Sequence, residues 1–305
     1  MAWFGATVPG SSRASDREQR ERRLGWKLTA PAFATMLLVT AYPIAKALWL
    51  SLFSYRLTDP AGREFVGLRN YAVVLSDSLW WRDVATTLLI TVVTVAVELG
   101  TGMAFAMVMH RIGRGRRLVR TAILVPYGIV TVVSALSWRY AFARDTGFVN
   151  GWLGLVDFAW FSHFWSSLIA ICMAEIWKTT PFMSILLLTG LVQVPAELHE
   201  AAQVDGATRW QLFWRVTLPN MKGAFMVAVL FRTLDAYRIF DSVFVMTSGA
   251  QYTETVSFLA YRQTIGRTAI GIGSAVSMLL FLSVVLIAAL FVKVFGVDLS
   301  RVGAP

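Results

Sequence analysis

Long apolar runs alternate with short polar bursts along this chain, and the runs are long enough to read as membrane-crossing helices. A hydrocarbon core of about 30 Å needs roughly 20 apolar residues in a helix. Six stretches meet that length: 28–53, 84–109, 121–142, 167–192, 223–245 and 270–295, of which the fifth is the least apolar and the sixth the most. None shows the two-residue alternation of barrel strands, and a lone strand cannot satisfy its backbone in lipid. The pattern predicts an all-α polytopic membrane protein with six transmembrane helices. Pro31, Pro43, Pro126 and Pro181 fall within or near these spans, and a kink is expected at Pro181. The expected division is a basic tail over 1–27, a transmembrane domain over 28–295 that includes a loop at 195–222, and a short tail over 296–305.

Composition agrees. The 305 residues are 56% hydrophobic and only 15% charged, against about 25% charged in soluble domains. One cysteine excludes a disulfide scaffold or a Cys-rich metal site, and three scattered histidines argue against a His-based one. The net charge of +10 is no nucleic-acid signature, because the basic residues cluster between apolar runs. Sixteen of the Lys and Arg residues fall on the side that holds the N-terminal tail, the second-to-third loop, the fourth-to-fifth loop and the C-terminal tail; seven fall opposite. The positive-inside rule puts both termini in the cytoplasm. The stretch Ser11–Glu18 is polar and is expected to be mobile.

The fourth-to-fifth loop is longer than most connections and should have structure of its own. Pro195, Glu197 and Glu200 suit a helix N-terminus, and Ala201 and Ala202 propagate it. Asp205-Gly206 is turn chemistry, with glycine free to take a positive φ. Trp210, Phe213, Trp214 and Leu218 follow at helical spacing, and Pro219 should stop the second helix. Two short helices about a hinge make a compact plug that wants a groove in a partner.

Charged groups inside spans are the other candidates for function. Arg232, Asp235, Arg238 and Asp241 recur every three residues in the fifth span. Four lipid-facing charges would cost on the order of 10 kcal/mol, at about 2.5–3.5 each. They must pair, face protein or line water; structural pairing and sugar contact both remain open. A run of steps of three winds around the helix, so all four should not line one path, and Arg238 and Asp241 are expected near the outer surface. In the fourth span Glu175 and Lys178 are spaced to pair, beside Trp177 and Thr180. Trp177 and Tyr237 are candidate aromatic faces for a sugar, against the alternative of helix–helix packing. Glu98 stands alone in the second span and reads as a buried interhelical hydrogen bond, Cys172 as packing, and Trp80, Trp81, Trp160 and Trp165 as an interface belt. Gly147-x-x-x-Gly151 lies in a loop and is no dimerisation face. No phosphate-binding loop occurs, since Ile272 stands where the glycine spacing from Gly266 would need lysine.

The segment Glu200-Ala201-Ala202-x-x-Asp205-Gly206-Ala207, continued by Phe213, Leu218 and Pro219, resembles the EAA loop of ABC importer permeases, of MetI-like and maltose-importer-like architecture. Phe65–Tyr71 resembles the Gly-Leu-x-Asn-Tyr segment of the sugar-importer permeases. So do Trp138 with Gly147–Asn150, and Phe240–Gly249. Together these point to the carbohydrate uptake subfamily, on the side of the maltose-type first permease, and within it to permeases of mycobacterial trehalose importers. The family usually has Gly-Gly-Pro where this chain reads Gly249-Ala250-Gln251, which leaves the shape of that turn open. The resemblance implies that Glu200, Ala201, Ala202, Asp205, Gly206, Ala207, Phe213, Leu218 and Pro219 couple to a separate ATPase. It implies that Gly147, Asn150, Gly249, Gln251 and Tyr252 lie where an extracytoplasmic sugar-binding protein docks. Glu175, Trp177, Lys178, Thr180, Arg232, Asp235 and Tyr237 are the substrate-path candidates. A second homologous permease, two ATPase copies and membrane lipids complete the expected partners, with no nucleic acid. ATP and Mg would be bound by the ATPase, and no cofactor by this chain. The implied activity is uptake of a disaccharide such as trehalose. The alternatives are an ion- or proton-coupled carrier, for which no internal repeat is evident, and a membrane-embedded enzyme, for which no catalytic cluster is evident.

Overall fold

A computed structural model of the protein describes residues 11–113, 115–155 and 157–295. The first ten residues, Arg114 and the expected C-terminal tail 296–305 lie outside them. Helix α1, Ser11–Ser51, starts well before the first predicted span, so the stretch expected to be mobile is helical from Ser11. Two strands follow, β1 (Phe53–Arg56) and β2 (Asp59–Phe65), paired antiparallel with Phe53 opposite Phe65. The hairpin is a small addition to the expected helical membrane architecture, since the rest of the described chain is mostly helical. Aromatic and charged side chains support it: the Arg63 guanidinium lies 4.3 Å from the Phe53 ring centre and 5.6 Å from that of Tyr55.

The Gly-Leu-x-Asn-Tyr segment locks the hairpin to α1. Gly67 takes φ +56, turning the chain into α2, Arg69–Ser76. Asn70 Nδ2 then donates to the carbonyls of Ser51 and Phe53 at 2.7 and 2.9 Å, and Tyr71 Oη lies 2.6 Å from Ser51 Oγ. The side-chain amide satisfies two carbonyls left over where α1 ends.

Helix α3, Ser78–Arg111, begins on an Asp77 cap and runs along α7, Phe164–Val192. Between them come α4 (Arg116–Gly128), α5 (Thr131–Ala141) and the short α6 (Phe148–Leu153). Beyond α7 lie α8 (Ala196–Val204), the single-turn helices α9 (Arg209–Gln211) and α10 (Leu218–Asn220), α11 (Lys222–Ala236), α12 (Asp241–Met246), α13 (Val256–Tyr261) and α14 (Ile270–Phe295).

Two of the six predicted spans are not continuous helices. Among the described residues four helices have the length and apolarity to cross a bilayer alone: Arg23–Ser51, Ser78–Arg111, Phe164–Val192 and Ile270–Val294. The third predicted span is α4 and α5, bent by 90°. Gly128 and the β-branched pair Ile129-Val130, both extended, make the bend. The fifth is split: α11 has 15 residues, about 22 Å of helix and short of a full crossing, and the chain breaks at Phe240 before α12. By contrast, Pro181 sits inside an unbroken α7 where a kink was expected.

The buried apolar side chains form three clusters, one around Phe142, Ile171 and Val243, one around Met103, Leu187 and Met221, and one around Trp80, Val256 and Leu259. Of the four tryptophans expected in an interface belt, Trp80 and Trp160 belong to these clusters, at 4% and 8% exposure, and Trp81 and Trp165 are exposed as a belt requires. Cys172 is packed as expected.

Candidate functional site

The 195–222 loop is built as two short helical pieces about a glycine. The N–H of Ala207 donates to the Ala202 carbonyl at 2.9 Å and that of Gly206 to Gln203 at 3.1 Å, with Gly206 at φ +76. These paired bonds and the left-handed glycine form a Schellman cap on α8. The Glu-Ala-Ala-x-x-Asp-Gly-Ala spacing therefore has a local cause: two small residues meet at the cap, and a glycine turns the chain. Thr208 opens the second piece with a capping box, accepting from Gln211 N–H while Gln211 Oε1 accepts from Thr208 N–H. The helix then widens to a π-helical segment, Leu212–Thr217, and passes through Pro219 into α10. Pro219 does not stop it as expected. The looser winding absorbs a residue that has no N–H to give the preceding turn.

The loop's residues divide by where they point. Phe213 and Leu218 pack against the cluster of Leu187, Leu191 and Met221, anchoring the loop to the helices. His199 Nε2 lies 3.1 Å from the buried hydroxyl of Thr217, joining the two pieces of the loop. The motif match had not singled out either residue; the long spacing between them hides the contact. Glu200, Ala201, Asp205, Gly206 and Pro219 face outward, and Ala202 and Ala207 are half-buried at the cap. Around them Val204 is 89% exposed and Trp210 70%, so the knob presents bare apolar surface rimmed by charge.

Deep between the helices, Arg232 is 1% exposed and is the hub of the intramembrane charges. Its Nε and Nη2 donate to the two oxygens of Glu98 at 2.5 and 2.9 Å, its Nη1 to Asp235 at 2.9 Å, and Nη2 lies 3.7 Å from Glu175. Thr179 Oγ1 donates to Glu98 at 2.7 Å, and Ser242 to Glu175. Glu98 is thus not alone, as its isolation in sequence led us to expect, but the main partner of an arginine 134 residues away. The expected Glu175–Lys178 pair is absent: Lys178 Nζ lies 5.6 Å from the Tyr127 ring centre instead. Arg232 and Ser242 occupy that side of Glu175, from α11 and α12 respectively.

Above this hub opens a cavity of about 510 Å³. Glu175, Lys178 and Thr179 line it from α7, and Tyr127 and Thr131 from the α4–α5 bend. Asp235, Arg238, Phe240 and Asp241 line it from the broken fifth span. The chain unwinds after Ala236, and Asp235, Arg238 and Asp241 share one wall; the four charges of the fifth span do not all line one path, in keeping with the sequence expectation. Arg232 lies behind that wall. Tyr237, at 3% exposure, is buried outside the cavity, and Trp177 packs edge-on against Trp138. Thr180 bonds back to the Ile176 carbonyl at 2.6 Å and does not line the cavity; Thr179 does. The aromatic faces are Tyr127, stacked on Phe182 with ring centres 5.4 Å apart, and Phe240. The Pro-Tyr-Gly break at 126–128 was the available signal for Tyr127.

The outer-loop candidates separate likewise. Asn150 is buried and structural: Nδ2 donates to the carbonyls of Arg144 and Phe158, and Oδ1 accepts from Trp160 Nε1 at 2.7 Å. Gly147 is required because a Cβ there would strike the carbonyls of Ala141 and Ala143. Only Gly249, Gln251 and Tyr252 form an accessible loop; it is strained, with positive φ at Ser248, Gly249, Gln251 and Tyr252, and Arg82 lies 4.5 Å from the Tyr252 ring centre. Beneath it Glu254 is 3% exposed and pairs with Arg262 at 2.7 Å, next to the fully buried Asp83, whose oxygens have no hydrogen-bond partner among the described residues. Burial raises the Glu254 carboxyl above the ordinary glutamate range, opposed by Arg262, Arg82 and Arg267. The folded protein thus holds this proton more tightly than the unfolded chain. The resulting stabilisation is full at low pH and is lost as pH rises through the raised value. Glu254→Gln is expected to flatten the fall in melting temperature above the ordinary glutamate range; an unchanged slope in a pH series of melts would contradict this.

Residues 96–297 match the model of the family described as binding-protein-dependent transport system inner membrane component. The chain is 50% identical over 285 residues to the trehalose transport system permease protein SugA of Mycobacterium tuberculosis, covering 93% of this chain and 92% of that one. It is 36% identical over 287 residues to the trehalose/maltose transport system permease protein MalF of Thermococcus litoralis, covering 92% and 96%. Its fold matches a chain of a bacterial ABC transporter that imports the acidic polysaccharide alginate, with a TM-score of 0.78 at 20% identity, covering 93% and 99%.

Proposed function

The chain belongs to the binding-protein-dependent transport system inner membrane components, and from that premise we propose that it forms half of a disaccharide path, with trehalose as the substrate. It is a multi-pass membrane permease of a sugar ABC importer, a transport subunit and not an enzyme, and the ATPase is a separate chain. The ion-coupled carrier and the membrane enzyme fall away with that membership.

The observation that carries the coupling reading is the knob at 196–220, capped at Gly206 and exposed on Glu200, Asp205, Val204 and Trp210. It docks in a cleft of the ATPase, on the side where both termini lie, and each of two ATPase copies takes one permease knob. A second, homologous permease faces the cavity. An extracytoplasmic sugar-binding protein delivers substrate at the Gly249–Tyr252 loop, and alternating access between the permeases moves the sugar inward.

The substrate reading rests on the cavity's chemistry. Glu175, Asp235 and Asp241 accept from hydroxyls, Lys178 and Arg238 donate to them, and Tyr127 offers a ring face. Acidic and basic groups are nearly balanced there, which suits an uncharged polyol. The names of the 50% and 36% relatives supply trehalose. The test is uptake of labelled trehalose by the assembled importer. Tyr127→Ala and Asp235→Ala are expected to raise the half-saturating concentration or lower the rate by about tenfold, the loss of roughly 1.4 kcal/mol, at normal assembly. Unchanged uptake and sugar-stimulated ATPase would remove both residues from the path.

A further inference from the structure

A second cavity, of about 410 Å³, opens on the side of the membrane opposite the coupling knob, between the hairpin, α2, the start of α3 and the start of α14. Arg56, Arg267 and Gln263 stand at its polar end. The Leu57 N–H donates to the Thr268 carbonyl at 2.9 Å, which fastens the segments carrying Arg56 and Arg267 side by side. Neither guanidinium has a salt-bridge partner among the described residues. Asp77, on the same wall, is occupied at the start of α3, accepting from Leu79 N–H at 2.9 Å. Gln263 is 9% exposed as a residue, makes no side-chain hydrogen bond among the described residues and lines the cavity. Two cations without salt-bridge partners and an amide open to the cavity suit an anion with a further acceptor.

The rest of the lining is apolar. Trp80, Val73 and Leu259 make one wall, and Ile272 and Val276, four residues apart, run down the first two turns of α14. Polar groups thus precede the span and aliphatic ones lie within it, the depth order of a lipid headgroup and its chain. A free phosphate has no use for the aliphatic wall, and a neutral sugar would leave the charge of the two arginines uncompensated. We propose that this cavity binds an anionic phospholipid of the leaflet opposite the coupling knob. The phosphate sits between Arg56 and Arg267, the Gln263 amide donates to an ester carbonyl, and one acyl chain follows Ile272 and Val276. The inference shares with the proposed function only the placement of these loops at the membrane surface. Transport is not its readout, so the two fail separately.

The test is native mass spectrometry of the intact importer exchanged into phosphatidylglycerol or phosphatidylcholine. The wild type is expected to retain phosphatidylglycerol through delipidation and to lose phosphatidylcholine. The Arg56→Gln/Arg267→Gln double variant should retain it at least tenfold less, and Gln263→Leu several-fold less. Arg56 is exposed, so Arg56→Gln alone repeats the test should the double variant fail to assemble. Equal retention of both lipids, or retention unaffected in the arginine variants, would overturn the proposal. Displacement by millimolar inorganic phosphate would also overturn it, because the site would then be one for a free anion.

Discussion

Replacing Arg232 with leucine is expected to remove most of the protein from the membrane, or to cut uptake at least a hundredfold in what remains. Arg232 neutralises Glu98 through two hydrogen bonds and reaches Asp235 and Glu175, all but Asp235 being buried. Breaking such a pair by deleting one partner costs about 3–5 kcal/mol, because the surviving charge stays buried. That is a large share of the roughly 5–15 kcal/mol that holds an ordinary domain together. Arg232→Lys keeps the charge but not the fork onto Glu98, and should fall between wild type and leucine. Deleting both charges, Arg232→Leu with Glu98→Leu, should recover membrane levels that the single variant loses. Immunoblots of membranes alongside uptake separate the two effects, and a single leucine variant at wild-type level and rate would show that the hub has no such weight.

The second large effect is expected at Gly206. Gly206→Val places a β-branched residue at φ +76, a conformation that costs such residues about 1–3 kcal/mol. Nothing lies within 4 Å of the added Cβ, so the penalty is in the backbone alone and the spans should insert normally. The Schellman cap would open and the knob lose its shape. Uptake is expected to fall at least tenfold while the complex still hydrolyses ATP. Gly206→Asn, which tolerates the left-handed region, should retain most of the coupling. Normal uptake in the valine variant would show that the turn does not transmit force.

Much of this was legible in the residues, and what was not has identifiable causes. Apolar run lengths located the membrane helices because lipid demands about 20 apolar residues whatever surrounds them. The Gly206 turn was legible because its determinants, a glycine and two alanines, are local. The split of the fifth span was not: its cause is tertiary, with Arg232 and Ser242 drawn from either side of the break onto Glu98 and Glu175. The same pairing took Glu175 from Lys178, its neighbour in sequence. Pairings that cross 67 or 134 residues of chain leave no periodic trace. Trp80, Trp160 and Asn150 show the same limit in the outer loops, where position near a span end reads as interface although the side chain is core.

The central claim is that the knob at 196–220 is the point at which the ATPase moves this permease. Its most direct test is site-specific crosslinking in the assembled importer, with Ala201→Cys or Asp205→Cys in a background where the buried Cys172 is replaced by serine. Both positions face outward on the knob. Each is expected to crosslink to the ATPase, with a yield that changes between the nucleotide-free and ATP-bound states. No ATPase crosslink from either position in any nucleotide state would contradict the account.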